Sequence, residues 1–165
     1  MTVVSNASPL ITLSKVGALH VLPELFGKLI APREVFHEVT VIGAGRPGAS
    51  DVQGAPWIEL KSYTNAAQFA RWRTQYGLGA GETATILLAR ESSANLAIID
   101  ERTARGLATG LGLNVMGCVG ILESAARKNL IADLRSTFQQ LLASGTYIDR
   151  AILNRSLTSF NLPTL

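Results

Sequence analysis

Four oxygen-bearing side chains, Asn6, Glu38, Glu82 and Asp100, could do chemistry together if the fold gathers them. Asn6 lies in a predicted strand-to-helix turn, Asp100 ends the strand-like run "NLAIID", Glu82 opens a predicted helix, and Glu38 sits within another. In open parallel sheets the functional crevice lies beyond the carboxyl ends of the strands. Helices flanking the central strands would therefore bring these four groups into one crevice, concentrating oxygen donors and negative charge. Taken singly, each has a plainer role. Asp100 can cap a helix, Glu82 can answer the partial positive charge of a first helical turn, Glu38 can be a solvated helix residue, and Asn6 can serve a tight turn. Spacing alone leaves both readings open.

The other chemistry-bearing residues point less sharply. The single cysteine, Cys118, excludes an internal disulfide and a cysteine-rich zinc site. It follows a strand-like run and reads as a small buried apolar residue. His20 and His37 read as packing or surface residues. "GLGAGE" could be a phosphate loop, but its spacing fits neither a Walker loop nor a full dinucleotide fingerprint. Arg71, Arg73, Arg90, Arg102 and Arg105 could follow a phosphate backbone, or simply face solvent. Arg102 and Arg105 follow Asp100 on one predicted helix, which makes them the better candidates.

The elements that must position these groups alternate. Val3 and Val4 form a short strand, and Ser8 before Pro9 predicts a helix start with Ser8 as cap. A second short helix runs from Val21 to Phe26 and closes at Gly27. Leu29 and Ile30 begin another strand, and Pro32 opens a helix on which Val35 and Val39 share a face. Residues 43–56, rich in Gly and Pro, read as a mobile loop. "WIEL" is a strand, 65–76 a helix, and "GETATILLARES" a helix beginning near Glu82. "NLAIID", the helix "ERTARGLATGLG" and the strand "LNVMG" follow, and then helices at 119–129, about 132–143 and about 148–157. Alternating strands and helices predict an α/β fold, a mostly parallel sheet of four to five strands covered by helices on both faces. The apolar run "LAII" fits a strand buried on both sides.

Composition bounds the class. At 165 residues, 47% hydrophobic and 16% charged, the chain reads as one domain with a real core rather than a disordered segment. No apolar run approaches the roughly 18 residues of a membrane helix, and Met1 opens no cleavable leader, so a cytoplasmic protein is expected. A net charge of +3 is only a weak pointer to an anionic partner.

The blocks "VVSNASPLITLSKVGALHVLPELFG", "APREVFHEV", "GAGETATILLA" and "LAIIDERTARGLATGLGLNVMGCVGIL" resemble, in that order, the PIN-domain superfamily, and within it a prokaryotic branch related to VapC-type toxins. The resemblance covers residues 1–130, leaving 131–165 as a C-terminal helical segment of the same domain. It implies a three-layer α/β/α fold and a metal-dependent ribonuclease. Asn6 falls at the first acidic position with Ser8 as the hydroxyl residue just after it, while Glu38, Glu82 and Asp100 match the second, third and fourth. It further implies Mg2+ or Mn2+ held by Asn6, Glu82 and Asp100, RNA contacts from Ser8, Arg102 and Arg105, a homodimer, and a small antitoxin partner. Such an ion is hard, prefers oxygen ligands and keeps several waters. It lowers the pKa of a bound water and offsets charge building on a phosphate.

Asn6 brings a carbonyl oxygen without charge, leaving three carboxylates. Either Glu38, Glu82 and Asp100, with help from Glu101, still hold a metal, or the fold persists as a weak or inactive RNA- or protein-binding module.

Overall fold

The computed structural model describes residues 1–165. Five strands form one parallel sheet: β1 (Val3–Ser5), β2 (Leu29–Pro32), β3 (Ile58–Lys61), β4 (Leu96–Ile98) and β5 (Val115–Met116), in the order β3-β2-β1-β4-β5. The chain builds outward from β1 through β2 to β3, then returns to the other side of β1 for β4 and β5. The order therefore reverses between β1 and β4, where open parallel sheets place their ligand crevice.

Residues alternate between sheet faces along each strand, and the two faces carry separate cores. Val3, Leu29, Ala31, Leu96 and Ile98 face one cluster; Val4, Ile30, Ala97 and Ile99 face the other. The first cluster is covered by α1 (Ala7–Lys15), α2 (Val21–Phe26), α8 (Cys118–Arg127), α9 (Leu134–Ala143) and α10 (Arg150–Ser159). The second is covered by α5 (Ala66–Tyr76), α6 (Ala80–Glu91) and α7 (Arg102–Gly110). Helices on both faces make the three-layer α/β/α arrangement expected from the alternation of elements. Strands buried on both sides explain why "LAII" carries no polar alternation. No helix is long and apolar enough to cross a membrane.

Three local expectations are corrected. Ser8 is exposed within the first turn of α1, and the cap position belongs to Asn6, because β1 ends at Ser5 and the chain bends at once. Residues 43–56 are not a continuous loop: Gly48, at φ 93°, leads into the short helix α4 (Ala49–Gln53), which buries Ala49 and Val52. Glycine suits that left-handed turn, which an L side chain resists. The third correction concerns the helix opened by Pro32. After α3 (Arg33–His37) it widens into a π-turn over Glu38–Ile42, in which the Gly43 N–H donates to the Glu38 carbonyl at 2.9 Å. Such turns recur at functional sites. Here a Cβ on Gly43 would stand 2.6 Å from the Val39 carbonyl oxygen, so the turn depends on that glycine.

Candidate functional site

Asn6 is anchored by its backbone, whose N–H donates to the Ile98 carbonyl at 3.0 Å and so ties the end of β1 to β4. Its side chain does not cap α1. The residue is 1% exposed, yet its Oδ1 has no hydrogen-bond partner. Buried polar atoms are nearly always paired, so an orphaned oxygen at this position calls for a reason. Its neighbourhood supplies one. A Cβ built on Gly81 would lie 3.4 Å from Asn6 Oδ1 and 2.8 Å from Glu38 Oε2, so both oxygens converge on the bare backbone at the start of α6.

Glu82, in the first turn of α6, joins them. Its carboxylate folds back over Gly79, and its charge reaches Glu38. Glu38 is exposed, and its Oε2 lies over buried Gly81. Burial first, and repulsion from Glu82 second, hold its carboxyl above the usual range. Both glutamates line a cavity of about 500 Å³ with Arg33, Glu34, His37 and the Gly79–Gly81 backbone. The α6 N-terminus has no side-chain cap, so its partial positive charge faces this acidic pair.

A raised carboxyl pKa in the folded state favours folding below the unfolded value and loses that contribution as pH rises through the folded value. The native protein should therefore carry a deficit at neutral pH. Glu38→Gln should make the metal-free protein more stable by about 0.5 kcal/mol at pH 7, after solvent screening, with the gain fading below the ordinary carboxyl pKa of 4.5. Thermal unfolding at the two pH values measures it. A variant no more stable than the native chain at pH 7 would remove the repulsion from the account.

Asp100 follows β4, the strand beside β1. Its Oδ1 accepts from the Cys118 N–H at 2.7 Å, and its Oδ2 from the Cys118 thiol at 2.9 Å. It thus ties the end of β4 to the first residue of α8, whose cap residue, Gly117, has no side chain to do so. Gly117 is required for this approach, since a Cβ there would stand 2.6 Å from Asp100 Oδ1. Cys118 is buried as expected, and burial followed by the Asp100 charge pushes its thiol well above its ordinary value, so it remains a donor. The cap of α7 is Glu101, not Asp100. Both Glu101 carboxylate oxygens accept backbone N–H groups, from Thr103 at 2.9 Å and Ala104 at 2.7 Å, so Glu101 is spent on the helix.

The structure thus gathers Asn6, Glu38 and Glu82 about the Gly79–Gly81 backbone and ties Asp100 to Cys118. No three His, Cys, Asp or Glu side chains are gathered closely enough to share an ion. The group that does converge, two carboxylates and an orphaned amide oxygen, is an all-oxygen set of the kind a hard divalent cation accepts. A cation there would also relieve the repulsion that raises Glu38. Among the basic candidates, Arg102 is exposed, whereas Arg105 donates to the Ile99 carbonyl at 2.8 Å beside Asp100. Ser8 is exposed on α1. Arg33 and His37, not singled out from the sequence as site residues, line the cavity because they fall one turn apart on α3. Their spacing ahead of Glu38 in "REVFHE" was the available signal.

Compared with protein families, residues 2–162 match a family model described as DUF3368, PIN domain. The match continues through the C-terminal helices, beyond the blocks that carry the resemblance in the sequence. No curated protein matches the chain.

Proposed function

Because the chain belongs to the PIN-domain family, a nuclease-type fold, we propose that it is a metal-dependent endoribonuclease of the VapC-like kind, hydrolysing RNA phosphodiesters as the toxin of a toxin and antitoxin pair. The observation that carries this reading is the unpartnered Asn6 Oδ1, buried and directed at the Gly81 backbone where Glu38 Oε2 also arrives. Bound Mg2+ or Mn2+ would supply an acidified water and offset charge on the phosphate.

The chain's own residues have separable roles in this account. Asn6, Glu38 and Glu82 would hold the ion, with Asn6 donating a neutral oxygen. Asp100, fixed by Cys118, would serve as the fourth acid at the edge of the crevice and help to orient water. Arg105 beside it, with Arg102 and Ser8 farther out, would contact the RNA backbone. A homodimer, an antitoxin segment entering the crevice and a cytoplasmic location belong to the same reading.

The test is calorimetric titration of Mn2+ alongside cleavage of single-stranded RNA. Asn6→Asp adds a charge to the set and should tighten Mn2+ binding by about tenfold, the scale of one added ion-ligand interaction, whereas Glu82→Gln should abolish binding and turnover. Absence of Mn2+ binding and of metal-dependent cleavage in the native chain would defeat the proposal.

A second reading is favoured by one specific observation: each oxygen of the Asp100 carboxylate already accepts a hydrogen bond from Cys118. With Asn6 uncharged and Asp100 so occupied, the fold would serve as a weak or inactive module that binds RNA or a protein. RNA binding without metal-dependent turnover distinguishes it.

A further inference from the structure

At the end of the sheet away from the carboxylate crevice lies a second cavity, of about 350 Å³. Asn6 and Asp100 follow the carboxyl ends of their strands, whereas Trp57, on this cavity's wall, comes just before β3 at the sheet's amino edge. The Trp57 carbonyl accepts from the Leu29 N–H at 3.0 Å, which fixes the residue against the start of β2. The wall also takes in the turn between α1 and α2. That turn is closed by Gly17 at φ 65° and by the Ala18 N–H, which donates to the Leu13 carbonyl at 2.8 Å. The short helix α4 adds Asp51.

The polar groups on these walls are acceptors. Asp51 has no ion-pair partner, because the one ion pair of the protein joins Lys61 to Glu59. His20 Nδ1 lies 3.2 Å from the Gly17 carbonyl. A carbonyl only accepts, so Nδ1 carries the hydrogen and Nε2 of the neutral ring is left as an acceptor. Ser14 Oγ is buried without a partner. Helical hydroxyls elsewhere, such as Thr85 and Ser124, bond back to the carbonyl four residues earlier, at 2.7 and 2.9 Å, and Ser14 does not. The carboxyl end of α1, with its partial negative charge, adds to this field. Lys15, in the last turn of α1, is exposed, and no lysine or arginine lines the cavity.

We propose that this cavity binds a guanidinium group, stacked on Trp57, with Asp51 as its counter-charge and Ser14 and His20 accepting its N–H groups. A guanidinium is planar and weakly hydrated, stacks on aromatic faces and donates several N–H groups at once, which matches an indole beside three acceptors. An anion would meet no basic side chain here. The group comes either from a free guanidino compound or from an arginine of a protein partner. None of these residues belongs to the crevice, so the inference stands apart from the ribonuclease reading.

The experiment titrates methylguanidinium into the full, nitrogen-labelled chain at fixed ionic strength and follows the indole N–H signals of its two tryptophans by NMR. Trp57→Phe identifies the Trp57 signal. That signal should move saturably, while the signal of Trp72, buried on the other face of the sheet, stays in place. Methylurea, which keeps the shape without the charge, should move neither. Asp51→Asn, at an exposed position, should weaken binding by on the order of tenfold, the scale of one charge-assisted hydrogen bond. Ser14→Ala should weaken it less. A blocked Gly-Arg-Gly peptide separates the two sources: binding at least as tight as that of methylguanidinium assigns the site to a protein arginine, and weaker binding or exclusion assigns it to a free compound. A Trp57 signal that does not respond to methylguanidinium, or that responds equally in Asp51→Asn, overturns the proposal.

Discussion

Asp100→Ala is expected to lower stability by about 2 kcal/mol and to reduce metal-dependent RNA cleavage by on the order of 100-fold. The stability loss follows from the hydrogen bonds. Removing the carboxylate leaves the Cys118 N–H without an acceptor and the thiol with only the Pro9 carbonyl, at 3.7 Å, and Cys118 is 1% exposed, so water cannot readily replace the lost partner. The same change unties the end of β4 from the start of α8, where Gly117 provides no alternative cap. The catalytic loss follows from Asp100 standing beside the crevice at the sheet's switch point. Asp100→Asn separates the two effects, since its amide oxygen can still accept from the Cys118 N–H while its charge is gone. Most of the stability should return in urea unfolding, and cleavage should stay low. Recovery of cleavage with the asparagine would mean that Asp100 acts only as a tether between β4 and α8.

Phe138→Ala should cost about 4 kcal/mol, close to the upper range for deleting a buried ring. Phe138 is among the largest fully buried side chains and lies in the same cluster as Val3, Leu10 and Ile98. Its neighbours on α9 and α10, Leu134, Leu141, Leu153 and Leu157, are buried in that cluster as well. The helices of residues 131–165 therefore finish the cover of one sheet face, and a cavity at Phe138 opens on α9 where it packs against α8 and α10. Against a total stability of roughly 5–15 kcal/mol for a domain of ordinary stability, such a loss is severe. The midpoint of urea unfolding measures it. A shift equivalent to less than about 1 kcal/mol would show that the C-terminal helices dock loosely and contribute little to the core.

The sequence by itself determined what local chemistry can encode. Alternation of apolar strands with helices gave the parallel sheet with helices on both faces, because a strand buried on both sides must read as a continuous apolar run, as "LAII" does. The glycines and glutamate of "GLGAGE" predicted a helix beginning near Glu82, because a first turn favours a carboxylate. Asn6 and Asp100 were recognisable at strand ends, Glu82 at a helix start and Glu38 within a helix. What they do together was not, because side-chain direction depends on neighbours far apart in the chain. Only the tertiary structure turned Asn6 Oδ1 away from its own helix toward Gly81, 75 residues later, beside the carboxylate of Glu38. It also gave Asp100 to Cys118 across the top of the sheet, assigned the α7 cap to Glu101, and aimed Glu38 through a π-turn that depends on Gly43. Each of these outcomes is a competition for one hydrogen bond or one small space. Its winner is decided by which backbone approaches closely enough, and that is a property of the packed sheet and helices rather than of any local run of residues.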